Sequence, residues 1–194
     1  ENVLIPRPET EELLELAISK IKNLKSKIQN LKLLDVGTGS GIIPITLKKH
    51  FPYAEVFAMD ISEKALEIAQ KNADFHQTEI KFLKADYLNT NLTEKYDVII
   101  SNPPYIGIDE NTEIEDSVKG FEPNIALFSP TQDALIFYRK ITKDCENHLN
   151  ENGLFFLEIN QKLGNETLEL FKNFSESELV KDLSGNDRFV MGRK

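Results

Sequence analysis

The densest chemistry in the sequence is the tetrapeptide Asn102-Pro103-Pro104-Tyr105, which follows the apolar run Val98-Ile99-Ile100. Two prolines fix φ and remove two backbone donors, so the carbonyls of Asn102 and Pro103 are presented rather than consumed in a ladder. The Asn102 side chain adds an amide oxygen. A planar N–H2 group carries two donor hydrogens, and the Asn102 amide oxygen and the Pro103 carbonyl can hold both at once. Tyr105 can pack against its plane. An amide or exocyclic amino nitrogen is a poor nucleophile because its lone pair is delocalised. Such a site must therefore align the nitrogen with an already activated carbon, exclude water and stabilise charge developing on nitrogen. Alignment lowers the barrier by removing lost freedom. An oriented carbonyl adds about 2.7–4 kcal/mol if comparable to one oxyanion donor. Taken alone, the tetrapeptide also reads as a proline-stiffened turn after a strand.

A source for the activated carbon stands upstream. The run Leu31-Lys32-Leu33-Leu34-Asp35-Val36 leads into Gly37-Thr38-Gly39-Ser40-Gly41. The glycines permit a tight turn and close approach of backbone to ligand. A dinucleotide fingerprint would be G-x-G-x-x-G, whereas here the third glycine falls at 41 and Ile occupies 42. S-adenosylmethionine has no pyrophosphate and needs a loop that hugs a methionine moiety and a nucleoside. Asp35 can bind the ammonium group of that cofactor, directly or through water. Asp60, with Ile61 beside it, lies 19 residues after Gly41, where a carboxylate can accept from both ribose hydroxyls. Asp86 can accept from an adenine amino group, and Tyr87 offers a ring face. Each has a plainer reading: a helix cap for Asp60, a turn residue for Asp86. Together, at three successive strand ends, they point to S-adenosylmethionine, with S-adenosylhomocysteine as product. NAD is the rival cofactor.

The elements that must position these residues alternate. Strands are expected at Leu31–Val36, Glu55–Met59, Ile80–Ala85, Tyr96–Ser101 and Gly153–Ile159, followed by short strands at Glu178–Leu183 and Arg188–Met191 joined by Ser184-Gly185-Asn186-Asp187. Helices are expected from Glu9 onward, at Ile42–His50, from an N-cap at Ser62 to Phe75, at Gln132–Leu149 and at Leu163–Asn173. This alternation implies a single α/β domain over residues 1–194 with helices on both faces of the sheet; with the cofactor residues above, a Rossmann-like seven-stranded sheet of the class I S-adenosylmethionine-dependent methyltransferase kind is expected. The sheet is mostly parallel with an antiparallel C-terminal strand, and ligands bind at the strand C-termini. Residues 1–28 read as an extended segment and a helix, and residues 106–130 as a long substrate-side loop.

Composition narrows the function classes. Of 194 residues, 40% are hydrophobic and 28% charged, a globular balance. The net charge of −9 argues against direct nucleic-acid binding. No apolar run approaches the ~20 residues of a membrane span. One cysteine, Cys145, allows no internal disulfide and suits the cytoplasm. His50, His76 and His148 fall on helices or helix ends, and no metal-ligand cluster is visible. The chain begins at Glu1 rather than Met, which suggests a fragment or processed form, and a monomer is expected.

The segments Leu4-Ile5-Pro6-Arg7-Pro8-Glu9-Thr10-Glu11, Asp35 to Gly41 and Asn102-Pro103-Pro104-Tyr105-Ile106 together resemble the HemK/PrmC family of protein-glutamine N5-methyltransferases. Phe121-Glu122-Pro123, Phe137-Tyr138-Arg139-Lys140-Ile141 and Asp182-Leu183-Ser184-Gly185 through Arg188 are similar to it as well. The resemblance implies methylation of the glutamine in the Gly-Gly-Gln motif of peptide-chain release factors. It also implies that Arg7, Pro8, Glu9 and Thr10 lie near the cofactor and substrate. From the residues alone that segment is a proline-stiffened helix entry with Glu9 at its positive end. Departures are Thr131-Gln132-Asp133-Ala134-Leu135 where the family has Gly-x-Asp-Gly-Leu, Asn160 after Leu157-Glu158-Ile159, and the absence of the family's N-terminal helical domain. Alternatives are a methyltransferase for DNA adenine N6, RNA guanine N2 or a ribosomal-protein glutamine, and a non-catalytic module binding the cofactor or a partner.

Overall fold

The computed structural model describes residue 3 and residues 7–25, 30–104 and 133–194. Tyr105, the loop 106–130, Leu4 to Pro6, Phe121 to Pro123 and Thr131-Gln132 therefore lie outside the described residues. The elements run α1 (Pro8–Lys25), β1 (Lys32–Val36), α2 (Ile42–His50), β2 (Glu55–Asp60), α3 (Glu63–Phe75), β3 (Lys81–Lys84), a 3-10 turn (Tyr87–Asn89) and β4 (Tyr96–Ser101). After the undescribed stretch come α4 (Ile136–His148), β5 (Leu149–Glu158), a second 3-10 turn (Gln161–Leu163), α5 (Gly164–Leu170), β6 (Glu176–Lys181) and β7 (Asp187–Arg193).

The seven strands form one sheet in the order β3-β2-β1-β4-β5-β7-β6. β1 to β5 are parallel, and β7 is antiparallel to both β5 and β6. The chain leaves β1 in one direction for β2 and β3, then returns to the other side of β1 for β4. That reversal opens a crevice beyond the C-termini of β1 and β4. Val36 pairs with Ser101 there, so Gly37 and Asn102 emerge side by side.

Both faces of the sheet are buried, and period-2 alternation sorts the strand residues between two cores. Leu33, Val98, Ile100 and Phe156 pack with α1 and α2, while Leu34, Ile99 and Phe155 pack with α4 and α5. Phe155 stacks on Phe171 with ring centroids 4.2 Å apart. Helix α1 begins with Pro8, where a missing N–H costs nothing, and carries Glu9 and Glu11 in its first turn. Its Leu13, Leu14, Ala17, Ile18, Ile21 and Leu24 form the buried stripe that lies on β5 and α2.

The expected architecture is the observed one with several boundaries moved: α4 starts at Ile136 rather than Gln132, β6 runs Glu176–Lys181 rather than Glu178–Leu183, and β7 runs Asp187–Arg193 rather than Arg188–Met191. β5 starts at Leu149 rather than Gly153, directly after α4. The polar run Asn150-Glu151-Asn152-Gly153 reads as a loop but forms an irregularity within the strand. Pairing jumps from Tyr96–Leu149 to Val98–Leu154, and Asn152 takes φ +63°. Helix α5 ends at Leu170 rather than Asn173, and Phe171 turns into the core. No helix among the described residues is long and apolar enough to cross a membrane.

Candidate active site

The loop after β1 is built from three left-handed glycines: Gly37 at φ +76°, Gly39 at +53° and Gly41 at +81°. Gly37 and Thr38 both donate their N–H groups to the Met59 carbonyl, at 2.9 and 3.0 Å, which ties the loop to β2. The Asn72 side chain on α3 donates to the Ser40 carbonyl at 2.8 Å. Gly41 is a packing position too, since a Cβ there would meet the Ala69 Cβ at 3.0 Å. At Gly37 an added Cβ would lie 3.9 Å from the Asn102 carbonyl oxygen. The glycine loop and the Asn-Pro-Pro segment thus share one edge of the crevice.

Asp35 is 1% exposed, and neither of its carboxylate oxygens has a hydrogen-bond partner among the described residues. Burial pushes its carboxyl up to about 7; the nearby Thr38 hydroxyl opposes the rise and the Asp60 charge adds to it. Thr38 Oγ1 makes no geometrically sound hydrogen bond to either oxygen and has no other partner among the described residues. A buried acceptor and a buried hydroxyl with no partner among the described residues suit a polar, cationic group. The ammonium of S-adenosylmethionine fits that requirement.

Asp60 ends β2 with both oxygens engaged: Oδ2 accepts from the Gly39 N–H at 2.9 Å and Oδ1 from the Ser62 N–H at 2.8 Å. It braces the loop that it was expected to complement, and each oxygen keeps a further lone pair. Ser62 caps α3 as expected, accepting from the Ala65 N–H at 3.3 Å. Ile61, 45% exposed, stands beside Asp60 as an uncovered apolar side chain at the crevice edge. Asp86 caps the short 3-10 turn, accepting from the Leu88 N–H at 3.2 Å and the Asn89 amide at 2.7 Å. Tyr87 departs from expectation. It is buried in the core with Lys140 Nζ 4.6 Å from its ring centroid, so it does not offer a ring face at the crevice. Burial and the Asp144 charge push its phenol well above the usual range.

Asn102 is half-buried, Pro103 buried and Pro104 half-buried. The Ser101 hydroxyl donates to the Val36 carbonyl at 2.7 Å and fastens the two strand ends together. The Asn102 side-chain N–H2 donates to Thr10 Oγ1 at 3.3 Å, and the Thr10 hydroxyl donates to Glu158 Oε2 at 2.8 Å. The N-terminal segment, which had no physical reading beyond a helix entry, therefore reaches the crevice through Thr10. Arg7 and Glu9 lie half-buried in the same turn, and Pro8 is exposed. Glu158 was missed. Its signal was a carboxylate interrupting the apolar run Leu154 to Ile159 at the C-terminus of a central strand. Of the histidines, His50 and His76 are exposed and His148 meets the Glu94 carbonyl at 2.9 Å. A cavity of about 440 Å3 lined by Lys20, Leu154, Phe156, Glu178 and Arg193 lies between α1 and the strands β5, β6 and β7 and includes none of these groups.

The sheet order is that of the class I S-adenosylmethionine-dependent methyltransferase fold. The methyltransferase small domain model matches residues 17–118. The release factor glutamine methyltransferase of Flavobacterium psychrophilum is 50% identical over 98% of this chain and 67% of its own length. That of Lactococcus lactis is 42% identical over 98% of this chain and 69% of its own. The chain belongs to the release factor glutamine methyltransferase family. Among solved structures, a ribosomal protein L11 methylase from Lactobacillus delbrueckii subsp. bulgaricus has the same fold. Its TM-score is 0.64 at 21% identity, over 99% of this chain and 82% of that one. Magnesium protoporphyrin IX methyltransferase from Synechocystis, with bound S-adenosylmethionine, gives 0.63 at 16% identity over 96% and 80%.

Proposed function

We propose that this chain methylates the side-chain amide nitrogen, N5, of the glutamine in the Gly-Gly-Gln loop of peptide-chain release factors. The observation that carries this reading is the juxtaposition of Gly37 and Asn102 at one strand edge. It brings a methyl-donor loop against a clamp for a planar N–H2 group. The names of the relatives supply the acceptor: each acts, by name, on release factor glutamine.

Bound S-adenosylmethionine supplies a methyl group activated on a sulfonium. The residues of this chain do the rest. Asp35 neutralises the ammonium of the cofactor, and Thr38 offers it a hydroxyl. Gly37, Gly39 and Gly41 keep the loop backbone low enough for close approach, and Ser40 is held from behind by Asn72. Asp60 keeps lone pairs for the ribose hydroxyls, Ile61 covers the nucleoside side, and Asp86 keeps lone pairs for the adenine amino group. Asn102 Oδ1 and the Pro103 carbonyl would accept the two glutamine N–H bonds and stabilise the positive charge that develops on nitrogen as the N–CH3 bond forms and the S–CH3 bond breaks, after which one N–H proton leaves to solvent. Pro104 stiffens the clamp. Arg7, Pro8, Glu9 and Thr10 form its N-terminal wall. The enzyme acts as a monomer in the cytoplasm, without direct nucleic-acid contact.

The test is labelled methyl transfer from S-adenosylmethionine to release factor, ribosomal protein, tRNA and DNA side by side. Label on release factor alone is the expected result. Label on a nucleic acid with none on release factor would refute the acceptor, and no label on any of them would favour a binding module.

A further inference from the structure

Three groups far apart in the chain meet behind the acceptor clamp: Thr10 in the first turn of α1, Asn102 after β4 and Glu158 at the end of β5. Thr10 is 5% exposed and Glu158 2%, so water has little access to this junction. A threonine hydroxyl has one proton, and here it goes to Glu158 Oε2 at 2.8 Å, an acceptor-only group when ionised. What Thr10 then shows Asn102 is a lone pair. The Asn102 amide has two similar ends, an oxygen that accepts and a nitrogen that donates, and only the nitrogen suits a lone pair. It lies 3.3 Å away. In the opposite orientation Asn102 Oδ1 would face Thr10 Oγ1, acceptor against acceptor, leaving the amide N–H2 without this partner.

We infer that Thr10, with its proton directed by Glu158, is a positioning residue that fixes which way the Asn102 amide faces. The lock turns Oδ1 away from Thr10 and presents it as the acceptor that a substrate N–H2 needs. This deepens the functional reading above and rests on it. It assigns the hydroxyl of the N-terminal wall a task other than substrate contact. It also explains why a carboxylate ends a central strand whose other residues from Leu154 to Leu157 are buried and apolar. Glu158 sets the direction of the relay, Thr10 transmits it and Asn102 applies it.

The experiment compares wild type, Thr10→Val, Thr10→Ser and Glu158→Gln, each alone and the first also combined with Asn102→Ala. Methyl transfer to release factor is measured both at steady state and at single turnover with enzyme in excess, so that residual rates can be read. S-adenosylhomocysteine binding is measured by calorimetry. Thr10→Val preserves shape and removes the hydroxyl. It is expected to lower kcat by about tenfold, the scale of one lost hydrogen bond, while KM and the Kd for S-adenosylhomocysteine stay within about twofold. Thr10→Ser restores most of kcat because it restores the hydroxyl. Glu158→Gln lowers kcat in the wild-type background and adds little once Thr10→Val is present. In the Asn102→Ala background Thr10→Val has no further effect, since nothing is left to orient. Wild-type kcat in Thr10→Val, an equal loss in both backgrounds, or a loss of kcat matched by a loss of cofactor affinity would each overturn the lock. Failure of the wild-type chain to methylate release factor is a separate outcome. It removes the acceptor assignment, and the lock with it.

Discussion

Asp35 is the residue at which burial and ligand chemistry pull hardest against each other. A carboxylate with both oxygens unpaired is costly to keep ionised in the core, which is why its carboxyl sits near 7 rather than at the ordinary 3.8. A cationic ammonium favours the ionised form. Affinity for S-adenosylhomocysteine is therefore expected to rise with pH through about 7 and to level off above it. Calorimetry across that range should show the slope in wild type, and a weaker, flatter profile in Asp35→Asn. For the cofactor-free protein the sign is the reverse. The raised carboxyl contributes stability that is fully present below 3.8 and is lost as pH rises through about 7. The difference in unfolding free energy between wild type and Asp35→Asn should move against wild type over that window. The placement of Asp35, Asp60 and the glycines at successive strand ends was legible in the sequence because the apolar runs mark where the strands stop. Thr10 was brought to the site only by the family resemblance and Glu158 not at all, because their pairing spans 148 positions and leaves no local pattern. Tyr87 misled for a related reason: an aromatic after a strand looks the same whether it faces the crevice or the core.

At the scale of elements, the crevice depends on β1 and β4 ending in register. Val36 pairs with Ser101, and the Ser101 hydroxyl closes on the Val36 carbonyl. The opposite end of the same strands is fixed by Asp97, 5% exposed, whose carboxylate accepts from the Lys32 N–H and from the Asn150 side chain, both at 2.8 Å. It joins β1, β4 and the irregular start of β5. Replacing Asp97 by Ala strands a backbone donor and an amide, and is expected to cost about 1–3 kcal/mol of stability. Denaturant unfolding measures that loss. The affinity for S-adenosylhomocysteine of the folded fraction should stay unchanged, since Asp97 lies away from the ligand edge. The strands were readable from their apolar runs, and the helices from their caps and stripes. The start of β5 was not, because Asn150 to Gly153 has the composition of a loop. Only pairing with Tyr96 and Val98 reveals it as strand.

On the scale of the whole molecule, the two cores depend on a sheet buried on both sides, and cofactor binding adds to that stability by mass action. S-adenosylhomocysteine at about 100 times its Kd is expected to raise unfolding free energy by about 2.7 kcal/mol. A thermal shift that saturates with ligand would show it, and Asp35→Asn should need more ligand for the same shift. Surface ion pairs contribute little by comparison. Lys20–Glu178, Lys84–Glu63 and Lys172–Glu169 are each about half exposed or more on both sides. The chain spans 67% of the length of the Flavobacterium relative. The most direct measurement is mass spectrometric mapping of release factor after incubation with S-adenosylmethionine and either wild type or Asn102→Ala. The predicted result is a single methyl on the side-chain amide nitrogen of the Gly-Gly-Gln glutamine with wild type. The variant should give at least about a hundredfold less product, comparable to removal of one oxyanion donor, while S-adenosylhomocysteine affinity is unchanged. A methyl at another residue, or equal product from Asn102→Ala, would contradict the account.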